Sequence, residues 1–270
     1  MYDFYFGTKK DIRSNPEKYL LSIKRMMPKW MNSIPDSEFL ALSRISSNIK
    51  KKNSVFVETG CGASTLALAF HAMKNNGILY TWEINQEKTS IIRSICNETI
   101  SRYFNKNINN HWVSINYLST SKYAGLEVLG ELNKKVDLFF HDSEHVLDVI
   151  IKELEMIKLL MNKSSYICVD DANYNFKYLN TAYLNMVRRK IGLKAIKDLK
   201  DNKSDLFYVE VDKYLRNKFK KVLKINDTYK KNFQKDIYFN YFANEFNLKA
   251  DLKMENKNQL SHRFDCWKVN

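Results

Sequence analysis

The sequence predicts an α/β fold: a Rossmann-like, mostly parallel sheet with helices on both faces, preceded by a helical extension and followed by a basic, largely helical addition. Three observations carry the expectation. Short β-prone runs alternate with helix-like segments between about residues 54 and 170. Two of only seven glycines fall between the first run and the helix after it. Acidic residues close one run after another, where ligands bind in such sheets.

Residues 1–48 read as a helical extension. Asn15-Pro16 caps a helix with proline in its first turn, and Leu20, Ile23, Met27 and Trp30 follow at helical spacing. Ser33-Ile34-Pro35-Asp36 breaks it, and a second helix carries Phe39, Leu40, Leu42 and Ile45. The core, residues 49–190, opens with the strand Ser54–Val57, which runs into Glu58-Thr59-Gly60-Cys61-Gly62-Ala63-Ser64-Thr65 and a helix. Ile78–Trp82 is the second strand, closed by Glu83, and a helix over about 86–104 leads to a third at Trp112–Tyr117. Val136–Phe140 is the fourth strand, ending at His141-Asp142-Ser143-Glu144-His145. The next helix places Leu147, Ile150, Leu154, Ile157 and Met161 on one face, and Tyr166–Val169 runs into Asp170-Asp171. In the last part, residues 191–270 complete the fold. Tyr178 to Lys190 and much of 213–247 read as helix, and His262–Val269 alternates as a closing strand.

Composition narrows the classes of function. A chain of 270 residues with 44% hydrophobic and 27% charged residues is a globular mix that needs no disulfide or structural metal to fold. Glycine numbers only 7, where about 19 is ordinary for this length, so each one marks a place that needs it. Four scattered cysteines without zinc spacing read as reduced thiols in a cytoplasmic protein. No signal peptide or membrane span is apparent.

The net charge of +14 suggests nucleic acid, an anionic membrane face or a phosphorylated substrate. Its distribution says more. Residues 49–175 balance at 14 basic and 14 acidic, whereas residues 176–270 carry 22 basic against 11 acidic. Most of the excess lies beyond residue 175.

The glycine loop selects among phosphate-binding devices. A dinucleotide fingerprint wants a third glycine where Thr65 stands, and no P-loop is present. Alone, the pair reads equally as a turn capping an ordinary helix. With Glu83 ending the second strand it points to a nucleoside ligand, the carboxylate taking the ribose hydroxyls. Glu58, close to the loop, suits the ammonium of an amino-acid portion. Three more carboxylates, Asp142, Asp170 and Asp171, come from adjacent predicted strand ends. Converging there they repel, and a hard divalent cation such as Mg²⁺ resolves the repulsion. The alternative is that one caps a helix while the others face water. His145, three residues after Asp142, shares its side of the turn and is placed to take a proton; the alternative is a capping or core histidine. His141 is turned away from Asp142 by alternation, and His71, His111 and His262 read as structural.

These residues resemble a known family. Val57–Thr65 is similar to motif I of class I S-adenosylmethionine-dependent methyltransferases, and Trp82-Glu83-Ile84-Asn85 to their second acidic motif. Phe140–His145 and Val169-Asp170-Asp171 resemble the branch of macrocin-type sugar O-methyltransferases, methyltransferase family 24. His141 departs from that branch's usual Ile or Leu before the aspartate, and Cys61 is at a variable position. The resemblance implies S-adenosylmethionine held by Glu58, Thr59, Gly60, Gly62, Ser64, Thr65 and Glu83. It further implies a metal on Asp142, Asp170 and Asp171, with His145 as base and Asp142 in the catalytic set.

The expected function is therefore metal-assisted O-methylation of a sugar hydroxyl, on an anionic nucleotide sugar or a surface-polysaccharide precursor. A homo-oligomer is compatible with it. Two alternatives stand beside it: an RNA or DNA methyltransferase using the basic tail, and a non-catalytic S-adenosylmethionine-binding partner. No proline pair exists for the tetrapeptide of nucleic-acid N-methyltransferases, which counts against a nucleic-acid partner.

Overall fold

Near-continuous apolar runs such as Val55-Phe56-Val57 and Leu138-Phe139-Phe140 suit strands covered on both faces, and the architecture follows from them. The computed structural model describes residues 9–144, 147–170, 214–218, 222–224 and 265–269. Its strands are β1 (Val55–Thr59), β2 (Ile78–Trp82), β3 (Trp112–Ile115), β4 (Val136–His141), β5 (Met161–Val169), β6 (Val222–Lys224) and β7 (Asp265–Val269). They form one sheet in the order β3-β2-β1-β4-β5-β7-β6. β1 to β5 pair in parallel, while β7 runs antiparallel to both β5 and β6. Chain order reverses between β1 and β4, so their carboxyl ends open a crevice at that point.

The helices are α1 (Lys9–Ser14), α2 (Pro16–Met26), α3 (Asp36–Asn48), α4 (Ala63–Lys74), α5 (Gln86–Cys96), α6 (Val128–Glu131) and α7 (Leu147–Ile157). A π turn at Asn97–Ser101 and an α turn at Arg102–Phe104 continue α5, giving the long helical stretch expected there. Side-chain alternation divides the core. Phe56, Leu79, Leu138 and Phe140 pack with α2, α3 and α4 on one face. Val57, Tyr80, Trp82, Phe139 and Ile167 pack with Ile150, Leu154 and Ile157 of α7 on the other.

The N-terminal helices thus form part of the same apolar layer as the sheet. Asn15 caps α2 as expected, its Oδ1 accepting from Lys18 N at 3.1 Å. His71 of α4 meets Ser43 of α3, with Oγ and Nε2 3.0 Å apart, and burial pushes the imidazole down to about 3. It is a neutral core histidine. His111 likewise bonds the Gly77 carbonyl at 2.7 Å.

Three sequence expectations change. Trp30 does not continue the apolar face of α2, because the helix ends before Pro28, and the indole is 56% exposed on a 3₁₀ turn at Lys29–Met31. Met161 leaves the face of α7 and opens β5, since the chain turns after Ile157. Within 213–247, read as largely helical, Val222–Lys224 is a strand paired with β7. The closing strand at the C-terminus is present, paired with β5 from Tyr166↔Lys268 to Val169↔Asp265. That pairing sets Cys168 opposite Cys266, their sulfurs 3.2 Å apart and both thiols free. The helix expected at Tyr178 to Lys190 lies outside the described residues. No described helix is long and apolar enough to cross a membrane.

Candidate active site

The crevice is assembled from the chain just beyond three strands. After Thr59, Gly60 adopts φ +88°, a left-handed conformation that favours glycine. A Cβ there would also lie 1.9 Å from the Asp142 carbonyl oxygen. Thr59 O in turn accepts from Asp142 N at 2.8 Å, and Gly60 N donates to Trp82 O at 2.8 Å. The glycine loop is thereby held between the ends of β2 and β4. Gly62 begins α4, its N–H donating to Thr65 Oγ1 at 3.0 Å while Thr65 N donates back to Gly62 O at 3.2 Å. This reciprocal capping holds the loop end in place.

Glu58 lies behind the loop. Its carboxylate is fully buried and accepts from Ser64 Oγ at 2.5 Å, Thr65 Oγ1 at 2.7 Å and Thr81 Oγ1 at 3.2 Å. Burial pushes this carboxyl up to about 7, against the lowering effect of the three hydroxyls and of Lys88. The expectation that Glu58 meets a ligand's ammonium is corrected accordingly. Its side chain points into the protein and shapes the loop through Ser64 and Thr65. Thr59, one residue on, points to the opposite face of the sheet, as alternation requires.

Glu83 is placed at the loop itself. Its Oε2 accepts from Cys61 N at 3.1 Å and Lys88 Nζ at 3.2 Å, and its Oε1 from Asn85 N at 2.9 Å. Two other features of this edge went unread in the sequence. Ile84 is 65% exposed, and beyond β3 so are Tyr117 (59%) and Leu118 (56%). Asn116 Nδ2 donates to Glu83 O at 3.0 Å, which brings that segment beside Ile84. An apolar residue directly after the acidic strand end was the available signal.

On the other side of the crevice, Asp142 and Asp170 each follow the last residue of a strand, β4 and β5. The strands pair in parallel with His141 opposite Val169, and Asp170 N donates to His141 O at 2.9 Å. The structure therefore brings these two aspartates to adjacent strand ends. Asp171 and His145 lie outside the described residues. Among the described residues, no three His, Cys, Asp or Glu side chains gather as a metal site.

Beneath this edge is a group the sequence reading missed. Glu153 of α7 is fully buried and accepts four side-chain donors. Thr59 Oγ1 at 3.0 Å and His141 Nδ1 at 2.7 Å bond Oε2; Ser143 Oγ at 3.1 Å and Ser119 Oγ bond Oε1. Burial acts to raise this carboxyl, but the charge and hydrogen bond of His141, with the Ser119 and Thr59 hydroxyls, bring it below the ordinary value. The signal was visible: Glu153 occupies a polar position within the apolar stripe Ile150, Leu154, Ile157.

Residues 57–172, less than half of the chain, match the family model described as a methyltransferase domain, of family 24. This segment is a methyltransferase domain. The sheet around it has the class I methyltransferase arrangement, with β1 to β6 running in one direction and β7 antiparallel between β5 and β6. No curated protein matches the sequence. Among solved structures, the chain is similar to an O-methyltransferase from Bacillus cereus in complex with S-adenosylhomocysteine, at 14% identity over 83% of this chain and 91% of that one, TM-score 0.46. It is similar also to the O-methyltransferase TomG from Streptomyces achromogenes, at 14% identity over 83% of this chain and 90% of that one, TM-score 0.48. A third is the MycE methyltransferase of mycinamycin biosynthesis, at 11% identity, covering 75% of this chain and 45% of that one, TM-score 0.43.

Proposed function

We propose that the methyltransferase domain transfers the methyl group of S-adenosylmethionine to a hydroxyl of a sugar, on a nucleotide sugar or a surface-polysaccharide precursor. The observation that supports this best is the contact of Gly60 with Asp142. It joins a nucleoside-suited edge and an acidic edge across one crevice. Gly60 and Gly62 let the backbone approach the cofactor, and Ser64 and Thr65, fixed by Glu58, hold the loop's shape. Glu83 accepts from the ribose hydroxyls, exchanging the Lys88 ammonium for them. Ile84 and Leu118 offer apolar surface to the base.

The acceptor oxygen attacks the methyl carbon, the carbon–sulfur bond breaks, and S-adenosylhomocysteine leaves with the sulfur electron pair. The hydroxyl proton must go to a base, for which His145 is proposed. Asp142 and Asp170, with Asp171, form a donor set of hard oxygens that suits a divalent cation. When bound there, Mg²⁺ would lower the pKa of the sugar hydroxyl.

The test is incubation of the full chain with labelled S-adenosylmethionine and a panel of nucleotide sugars, with Mg²⁺ or with chelator, read by mass. A gain of one methylene on one compound, lost in chelator and restored by Mg²⁺, is expected. Transfer to none of the sugars rejects the substrate class. Undiminished transfer by metal-stripped protein rejects the metal.

A further inference from the structure

The network around Glu153 ties together parts of the crevice that are far apart in sequence. Ser119 follows β3, on the segment that carries Tyr117 and Leu118. Thr59 ends β1 immediately before Gly60. His141 and Ser143 flank Asp142. All four donate to one carboxylate, two to each oxygen, and this uses the whole acceptor capacity of an ionised carboxyl group. Glu153 itself is on α7, a helix packed through Ile150, Leu154 and Ile157 into the core.

We propose that Glu153 is a positioning residue that holds the base-side segment, the glycine loop and the Asp142 turn in one register. It touches neither cofactor nor acceptor. A single carboxylate bound by donors on three strand ends makes their positions interdependent, because moving any one leaves a buried donor or acceptor unsatisfied. Gly60 packs on the Asp142 carbonyl with no space for even a methyl group, so small shifts of the β4 end are felt in the loop. The link to cofactor binding rests on the proposed function; the link among the three segments does not.

Two measurements on the full chain separate these. Hydrogen exchange by mass spectrometry reads the register directly. Glu153→Gln is expected to speed exchange about tenfold in all three segments, 59–65, 116–121 and 142–144, since the amide leaves buried donors unmet. Leu154→Ala, a comparable loss in the same helix, lowers stability without that pattern. Calorimetry with S-adenosylhomocysteine reads the consequence. Glu153→Gln is expected to weaken binding about tenfold, and Leu154→Ala to leave it unchanged. Ser119→Ala removes one donor and serves if Glu153→Gln does not fold; it speeds exchange at 142–144, although it lies on another segment. Its effect on binding is not additive with that of Glu153→Gln.

Unchanged exchange at 116–121 and 142–144 in Glu153→Gln, or at 142–144 in Ser119→Ala, overturns the proposal. So does an equal loss of affinity in Leu154→Ala. If the wild-type protein fails to bind S-adenosylhomocysteine, the cofactor reading falls, and exchange alone still decides the role of Glu153.

Discussion

Glu58 holds a carboxyl group out of water among three hydroxyls, and the balance gives it a pH dependence of known sign. Burial dominates, so its folded value lies near 7 against 4.5 for the free group. The folded protein binds this proton more tightly than the unfolded chain does. The resulting stabilisation is complete below about pH 4.5 and is lost as pH rises through 7. Between pH 5 and 8 the group should cost about 2–3 kcal/mol. Urea unfolding at pH 5, 6, 7 and 8 should show that decline in the wild type and a flatter profile in Glu58→Gln. An identical slope in both would place the titrating group elsewhere. The sequence made Glu58 and its hydroxyl partners visible as residues. The direction of the carboxylate, inward to Ser64 and Thr65, depended on how β1 packs against α4.

At the scale of elements, the glycine loop and the end of β4 behave as one unit. Gly60→Ala would combine a left-handed backbone with a methyl 1.9 Å from the Asp142 carbonyl oxygen. The carbonyl belongs to backbone held by Thr59 and cannot swing aside as a flexible side chain would. A loss of about 3 kcal/mol or more in chemical unfolding is expected, with loss of S-adenosylhomocysteine binding. Wild-type stability in this variant would mean that the loop and β4 separate freely. The elements most easily read were those with strong period, such as α2 with its Asn15 cap and the buried strands β1 and β4. Those misread stood at boundaries. Trp30 kept helical spacing past a proline that ends the helix, and Met161 kept the spacing of α7 past its last turn. Val222–Lys224 is a strand of three residues, too short to show alternation, and it exists because β7 is there to pair with it.

For the whole molecule, charge is segregated along the chain. The +14 arises mainly beyond the methyltransferase domain, whose surroundings in residues 49–175 are neutral. An anionic small substrate meets such a tail through a few charges, whereas nucleic acid meets it through many. Methyl transfer to a nucleotide sugar should therefore change less than about threefold between 50 and 200 mM salt. A nucleic-acid substrate with six to ten phosphate contacts would lose about 10³–10⁵ in affinity over that range. A loss of that size would favour the nucleic-acid reading.

Glycine is scarce because asparagine takes several left-handed positions: Asn53, Asn76, Asn105 and Asn133 all have positive φ. Among the described residues Gly60 is the one glycine with positive φ, at a place where asparagine would collide.

By itself the sequence determined the alternation of strands and helices, the glycine loop, the acidic strand ends and the segregation of charge. These are local properties, set by side-chain period, turn chemistry and composition. Only the tertiary structure decided that Glu58 faces inward, that Ile84 and Leu118 share an edge, and that Glu153 gathers four donors from three strand ends. Each of these depends on segments brought together by parallel pairing across crossover helices. That pairing is a property of the packed sheet, and no local pattern in the chain encodes it.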